Sequence, residues 1–216
     1  YLQHIKYIKG DGTLTFDTKP SGAEIILERY EEQHRRLVPV FEKCLGKTPL
    51  KQVPIPMGSY RLRIKKEGYE EVLYPIMIDR IEDLHVRPPN HKGAYGVWLP
   101  PKGSIDKDEC YIPAGYSFID GDRVFDPQSI AQKEWINGFI IGKYQVTNKD
   151  YIDTLNWGID THYPNVKEIS PKLPISDNEH YYCYGQKENG HFFVKPDLDG
   201  DVWEELWPVC CIYYGD

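Results

Sequence analysis

Along the first ninety residues, hydrophobic and polar positions alternate in short bursts separated by turn-forming residues. Thr13-Leu14-Thr15-Phe16-Asp17 places Leu14 and Phe16 on one face, the period of two expected of a half-buried strand. Arg61-Leu62-Arg63-Ile64-Lys65 alternates as strictly, and Val72, Tyr74, Ile76 and Ile78 share one face of a further run. Ala23 to Leu27 is mostly apolar, which predicts a strand buried on both sides. Leu84-His85-Val86 closes the set, while Leu2, Ile5 and Tyr7 alternate loosely enough for an edge strand or a linker. Between these runs stand Pro20-Ser21-Gly22-Ala23, Leu45-Gly46-Lys47-Thr48-Pro49, Pro56-Met57-Gly58-Ser59-Tyr60 and Gly68-Tyr69. Pro fixes φ and Gly permits φ > 0, so each reads as a turn. Short strands with regular turn signals describe a small antiparallel β-sandwich. The chain as a whole falls in a mostly β class with a few helices (α+β).

The pattern changes after residue 88. Residues 89–108 are rich in Pro, Gly, Lys and Asp, and Pro88-Pro89 and Pro100-Pro101 interrupt regular structure, so a domain boundary is expected here. The predicted division is a sandwich at 1–88, a linker at 89–108 and a second domain at 109–216. Tyr95 to Leu99 is apolar enough to pack on a domain or form a short strand. In the second domain, Cys110-Tyr111-Ile112 and Tyr116 to Ile119 read as strands joined by a turn at Pro113-Ala114-Gly115, and Asp120-Gly121-Asp122 suits another turn. Ile136 to Ile141 is an apolar strand interrupted by Gly138. Thr147-Asn148-Lys149-Asp150 fits a capping box, in which the Thr hydroxyl satisfies a free amide and Asp150 reaches back. Tyr151, Ile152 and Leu155 then share one helical face.

Composition narrows the function classes. The chain has 216 residues, enough for one or two domains that bury about 70% of their unfolded surface. Hydrophobic residues at 40% and charged ones at 27% fit a globular protein, and 17 Tyr and 17 Pro against 2 Met favour strands and turns over a helical bundle. A net charge of −7 argues against a general nucleic-acid surface, and the basic runs His34-Arg35-Arg36 and Arg61 to Lys66 lie among acids. No apolar run reaches the ~20 residues that span a bilayer. The chain opens on Tyr1 without Met or a signal-peptide pattern, so the true N-terminus is expected elsewhere. Five cysteines (Cys44, Cys110, Cys183, Cys210, Cys211) lack C-x-x-C spacing, which disfavours both a disulfide framework and a zinc site. A reducing, cytoplasmic compartment is expected, with the adjacent Cys210-Cys211 as buried inert thiols.

Few residues offer chemistry. His180-Tyr181-Tyr182-Cys183-Tyr184-Gly185 combines aromatic and polar groups, and Tyr181, Tyr182 and Tyr184 are the candidate ligand-binding residues, since Tyr gives contact area with a hydrogen-bonding tip. Packing of this run as a strand is the competing reading. Cys183 with His180 lacks a third group to orient the base. Asp197-Leu198-Asp199-Gly200-Asp201 resembles a calcium loop but has Val202 and Pro208 where an EF-hand needs Gly and Glu, so a polar turn ahead of Trp203 is expected. Gly138 to Lys143 shares only the Gly-x-x-x-Gly-Lys ending of a phosphate loop. His34 and His85 read as solvated side chains. No catalytic residue, metal or cofactor is expected.

Two groups of motifs resemble known families. The runs P-S-G-A-E-I-I-L, L-G-K-T-P-L and P-M-G-S-Y-R-L-R-I-K-K-E-G-Y, in this order, resemble a PEGA domain, with Ser21 departing from the usual Glu and a long charged insert at Arg29 to Lys43. That resemblance implies a spacer or interaction module. Ile112-Pro113-Ala114-Gly115 and the run Phe139-Ile140-Ile141-Gly142-Lys143-Tyr144-Gln145-Val146-Thr147-Asn148-Lys149-Asp150-Tyr151 resemble the N-terminal part of a formylglycine-generating enzyme (sulfatase-modifying factor) domain, whose fold is C-type-lectin-like. Trp207 to Asp216 sits where that family has P-V-x-x-V-S-W-x-D-A, with Tyr213 and Tyr214 replacing Ser and Trp. The family's copper-binding cysteines and calcium sites belong to a later part, so the resemblance gives none of the five cysteines that role and implies an apolar face left unburied. The tandem order resembles the C-terminal region of bacterial serine/threonine protein kinases, although no H-R-D or D-F-G loop is present. It implies a non-catalytic regulatory, sensor or binding region, with a protein or small ligand as partner and a kinase domain covalently linked upstream. The alternatives are a formylglycine-generating oxidase and a variable ligand-binding protein of a diversity-generating retroelement.

Overall fold

The computed structural model describes Ile8 and residues 10–93, 95–119, 132–176 and 179–212. The loose alternation at Leu2 to Tyr7, the turn at Asp120-Gly121-Asp122 and the replacements at Tyr213 and Tyr214 lie outside the described residues. The chain forms two compact units, Tyr1–Gly142 and Lys143–Asp216.

In the first unit, alternation becomes a sandwich. One sheet orders β4 (Leu50–Ile55), β1 (Gly12–Lys19) and β7 (Asp83–His85), with β8 (Gly96–Trp98) also pairing β1. The other orders β3 (Arg36–Lys47), β2 (Glu24–Gln33), β5 (Gly58–Lys65) and β6 (Val72–Ile78). Leu14, Phe16, Ile25, Leu27, Tyr60, Leu62, Ile64 and Ile78 are buried together between them, as the period of two requires. The expected antiparallel sandwich needs correction in the first sheet, because β1 runs parallel to both β7 and β8. Alternation sets which face is buried and leaves strand direction open. Thr13 and Asp83 are 70 residues apart, far enough for the crossover through the second sheet that parallel pairing needs.

The charged stretch at Arg29 to Lys43 is not a separate insert. It extends the β2–β3 hairpin, which turns at His34 and Arg35 with φ of 50° and 61°, the positive values of a tight two-residue hairpin turn. At the other end of β2, the Thr48 hydroxyl fixes the Pro20–Ala23 turn. It accepts from the amides of Gly22 (2.9 Å) and Ala23 (3.0 Å) and meets the Thr18 hydroxyl at 2.8 Å. Gly22 has φ of 86°, which only glycine adopts at no cost.

Residues 95–103 are folded onto the sandwich. Val97 and Leu99 are buried in its core, and the Glu70 amide and the Gly68 carbonyl bond Pro100 and Lys102. The chain then builds a two-stranded ribbon: β9 (Glu109–Ile112) pairs β12 (Phe139–Gly142), and β10 (Gly115–Ile119) pairs β11 (Gln132–Ile136). Both halves keep the same register, so Pro113-Ala114 faces Asn137-Gly138 across one interruption. The apolar run expected at Ile136 to Ile141 is thus broken at Gly138, where the sequence marked it.

In the second unit, α1 (Asn148–Asp160) starts at the capping box: Thr147 accepts from the Asp150 amide, and Asp150 accepts from the Thr147 amide at 3.2 Å. Ile152 and Leu155 face a small core with Val166, Tyr184 and Phe192. Two antiparallel pairs complete the unit, β13 (Lys172–Ser176) with β14 (Glu179–Tyr182) and β15 (Tyr184–Gln186) with β16 (Phe192–Val194). The chain is mostly β, as expected.

On the outer face of the second sheet, Glu28 on β2 receives Arg61 Nε at 2.6 Å and Arg63 Nε at 2.8 Å from β5. Burial alone would raise the Glu28 pKa, but the hydrogen bonds and charges of the two guanidiniums outweigh it and hold the carboxyl below 4.5. A carboxyl depressed in the fold adds stability that is present above its unfolded pKa and lost as pH falls through its folded one. Glu28→Gln is therefore expected to cost about 2–3 kcal/mol at neutral pH, by leaving Arg61 without its carboxylate and Arg63 with Glu71 alone, and much less once the pH has fallen through the lowered pKa of Glu28 in the fold. Urea denaturation across that pH range measures both; an equal cost at both ends would refute the assignment.

Candidate functional site

An apolar space in the first unit arises because the ribbon stands off the sandwich at one point and is tied to it at another. The tie is Tyr74. Its ring belongs to the core face of β6, edge-on to Phe16 at 5.3 Å, while its hydroxyl donates to the Ala114 carbonyl at 2.9 Å. Burial pushes the Tyr74 phenol far above its ordinary range, so it stays a neutral donor. Ala114 can accept because the ribbon's ladder is interrupted there and its carbonyl is free of a cross-strand partner.

Glycines permit the close approach. A Cβ on Gly115 would stand 2.7 Å from the Tyr74 oxygen, and one on Gly138 would stand 2.8 Å from the Tyr111 oxygen. Tyr111 lies on β9, packed against the core, with its phenol pushed up to about 12 by burial. Aromatic contacts extend the seam: Trp98 meets Tyr111 at 5.2 Å, and Trp135 stands between Tyr95 (5.3 Å) and Tyr116 (5.1 Å), all edge-on. Lys133 Nζ caps this seam 5.0 Å from the Tyr116 ring centre.

Beside the tie, a cavity of about 370 Å³ opens. Its sandwich wall is β6, β7 and the residue after it, through Ile76, Met77, Leu84 and Val86; its ribbon wall is Ile112, Pro113, Tyr116, Ile136 and Phe139. Polar groups are few, chiefly Ser117, His85 and Lys133, with Asp79 and Glu82 at the β6–β7 turn. His85 Nε2 lies within hydrogen-bond distance of Asp83, at 2.9 Å, and the side chain is partly solvated. His34, by contrast, sits at the exposed tip of the β2–β3 hairpin.

The three tyrosines singled out by the sequence lie in the second unit and play different parts. Tyr184 is 3% exposed, and its hydroxyl donates to Asn148 Oδ1 at 2.7 Å. Asn148, fully buried, also donates to the Glu204 carbonyl at 3.0 Å, so Tyr184 anchors the helix start and presents no binding face. Tyr181 and Tyr182 are half-buried on β14; the Tyr181 hydroxyl bonds the Pro196 carbonyl, with Lys195 Nζ 4.2 Å from its ring centre, and Lys167 Nζ lies 5.7 Å from that of Tyr182.

The other weighed groups resolve plainly. Cys183 is buried, its thiol pushed up to about 12 by burial and by Cys211, which suits an inert thiol. Cys210 is exposed and Cys211 half-buried, correcting the buried pair expected from their apolar run. Asp197 accepts from the amides of Asp199 and Asp201 and from Trp203 Nε1, so its carboxylate closes the polar turn. Sequence reasoning missed the cavity. Its walls come from separate stretches, and the signal for them was the pair of glycines, Gly115 and Gly138, in one apolar ribbon.

Residues 34–89 match the family model of the PEGA domain. The match runs from the β2–β3 turn through β7 and covers two of the three motifs, with Pro20 to Leu27 outside it. No curated protein and no solved structure matches the chain.

Gly115→Ala is expected to destabilise the protein by about 1–3 kcal/mol through overpacking. In a Tyr74→Phe background the further loss should be smaller, because the clashing oxygen is gone. Chemical denaturation of the four proteins of this cycle measures the difference; equal losses in both backgrounds would show that the contact is not responsible.

Proposed function

We propose that this chain is a non-catalytic binding region, and that the apolar cavity between β6, β7 and the ribbon is where it takes a ligand. The cavity carries the reading. Its size lies at the lower end of the roughly 300–1,000 Å³ of small-molecule sites, and it joins apolar walls to a few polar groups at the rim. The PEGA-matching residues supply its sandwich wall, which agrees with an interaction module more than with a bare spacer.

Beyond that, residues 109–216 are read as the N-terminal part of a formylglycine-generating-enzyme-like, C-type-lectin-like domain. The formed capping box at Thr147 and the ribbon's interruption at Gly115 support this, since both fall on the motifs that carry the resemblance. The region is read as regulatory to an upstream bacterial serine/threonine kinase domain, in the cytoplasm; the five free thiols favour a reducing compartment. The reading frame that contains this chain is then expected to encode H-R-D and D-F-G loops upstream, and a frame without them ends the kinase part of the reading.

Binding is tested with a neutral apolar dye such as Nile red. One saturable site is expected, lost in Ser117→Trp, whose indole fills the cavity from β10. Absence of saturable binding, or binding that Ser117→Trp leaves unchanged, would overturn the assignment of the cavity.

A further inference from the structure

The apolar cavity shares a wall with a second, polar cleft of about 620 Å³, and Glu82, Leu84, His85, Tyr116 and Lys133 line both. The far side of the cleft is the chain segment 87–92, which contributes Arg87 and Lys92. Arg87, Lys92 and Lys133 thus face two acids, Glu82 and Asp83, giving a locally basic cleft on a chain whose net charge is −7. Both acids are already engaged. Asp83 accepts from the Thr13 hydroxyl at 2.6 Å, the Gln52 amide at 3.3 Å and His85 at 2.9 Å. Glu82 accepts from the Asp79 amide at 3.0 Å. Lys133 stands at the threshold, its ammonium over the ring of Tyr116, which faces both spaces.

We propose that cavity and cleft form one continuous site for a single-chain amphipathic anion, with its apolar tail against Ile76, Met77 and Ile136 and its anionic head in the cleft near Lys133, Arg87 and Lys92. The proposal rests on the binding reading above and adds the ligand's chemistry. Apolarity and positive charge lie on opposite sides of Lys133: the cavity wall is mostly hydrocarbon, with Asp79 and Glu82 at its rim, and the cleft sets three cations against Glu82 and Asp83. A tail alone would leave the cations without use, and a compact anion such as phosphate would leave the apolar walls wet. An amphiphile satisfies both, since the tail removes apolar surface from water while the head stays partly hydrated beside the cations.

The chain has two methionines, and only Met77 lines the cavity. Protein labelled at the methionine methyls therefore carries one reporter inside the site and one, Met57, outside it. Decanoate, decyltrimethylammonium and 1-decanol, each below its micellar range and at low ionic strength, separate tail from charge. Decanoate is expected to shift the Met77 signal saturably and leave Met57 in place, binding about tenfold tighter than decyltrimethylammonium, with the gap narrowing as salt is added. Lys133→Glu should remove that preference while the tail still binds, and the unmoved Met57 signal checks that the variant is folded. If 1-decanol and decyltrimethylammonium shift Met77 as tightly as decanoate, the anionic head is refuted and the cavity remains a binding site. If none of the three moves Met77, both readings fall.

Discussion

A buried phenol must find an acceptor, and in this protein that requirement joins two pieces of structure. Tyr74 belongs to the sandwich by its ring and to the ribbon by its oxygen. The Ala114 carbonyl is available to it because the ribbon's ladder breaks there, and the break tolerates the approach because residue 115 has no Cβ. An unpaired hydroxyl in this place would cost about 1–3 kcal/mol. From the one bond follow the stand-off of the ribbon, the seam of Tyr95, Trp135 and Tyr116 that lines it, and the cavity between Met77 and Ile136. The fold thus keeps an apolar cavity between strands of the sandwich and strands of the ribbon, which is the arrangement the proposed binding role relies on.

The second unit answers a similar demand at its helix. The first amides of α1 have no intrahelical partners. Thr147 and Asp150 satisfy one pair, while the amides of Asn148 and Lys149 bond the carbonyls of Trp207 and Glu205. Asn148 then uses its side chain to bind Tyr184 and Glu204. Asn156, two turns on, exchanges hydrogen bonds with the backbone of Phe192 and so fixes β16 to the helix. Polar residues inside α1 are therefore the staples of this unit, and its apolar core is correspondingly small.

The legible parts of the fold were those decided locally. Leu14 and Phe16, the 61–65 run and the 72–78 run show their buried faces in the sequence because a strand's period is fixed by its own backbone. The capping box was legible for the same reason: its partners are three residues apart. The parallel pairing of β1 with β7 and β8 was not, since direction is set by the path of the intervening chain. Nor was β3, whose Leu37 and Phe41 are exposed, so that burial leaves no clean alternation to read. Among the tyrosines, the run 181–184 reads as one strand, but the structure breaks it at Cys183 between β14 and β15, and the sequence could not show that Tyr184 points at Asn148, 36 residues away. The candidate site was the least legible, being built from stretches that meet only in three dimensions. Its trace in the sequence was two glycines whose need becomes clear only once Tyr74 and Tyr111 are in place.

The account stands or falls on whether the ribbon is held to the sandwich through Tyr74. Amide hydrogen exchange on the native protein and on Tyr74→Phe measures this directly. The account predicts that protection drops in residues 109–119 and 132–142 on losing the hydroxyl, while β2 and β5 keep theirs. Unchanged protection in the ribbon, or an equal loss across every strand of the first unit, would contradict it.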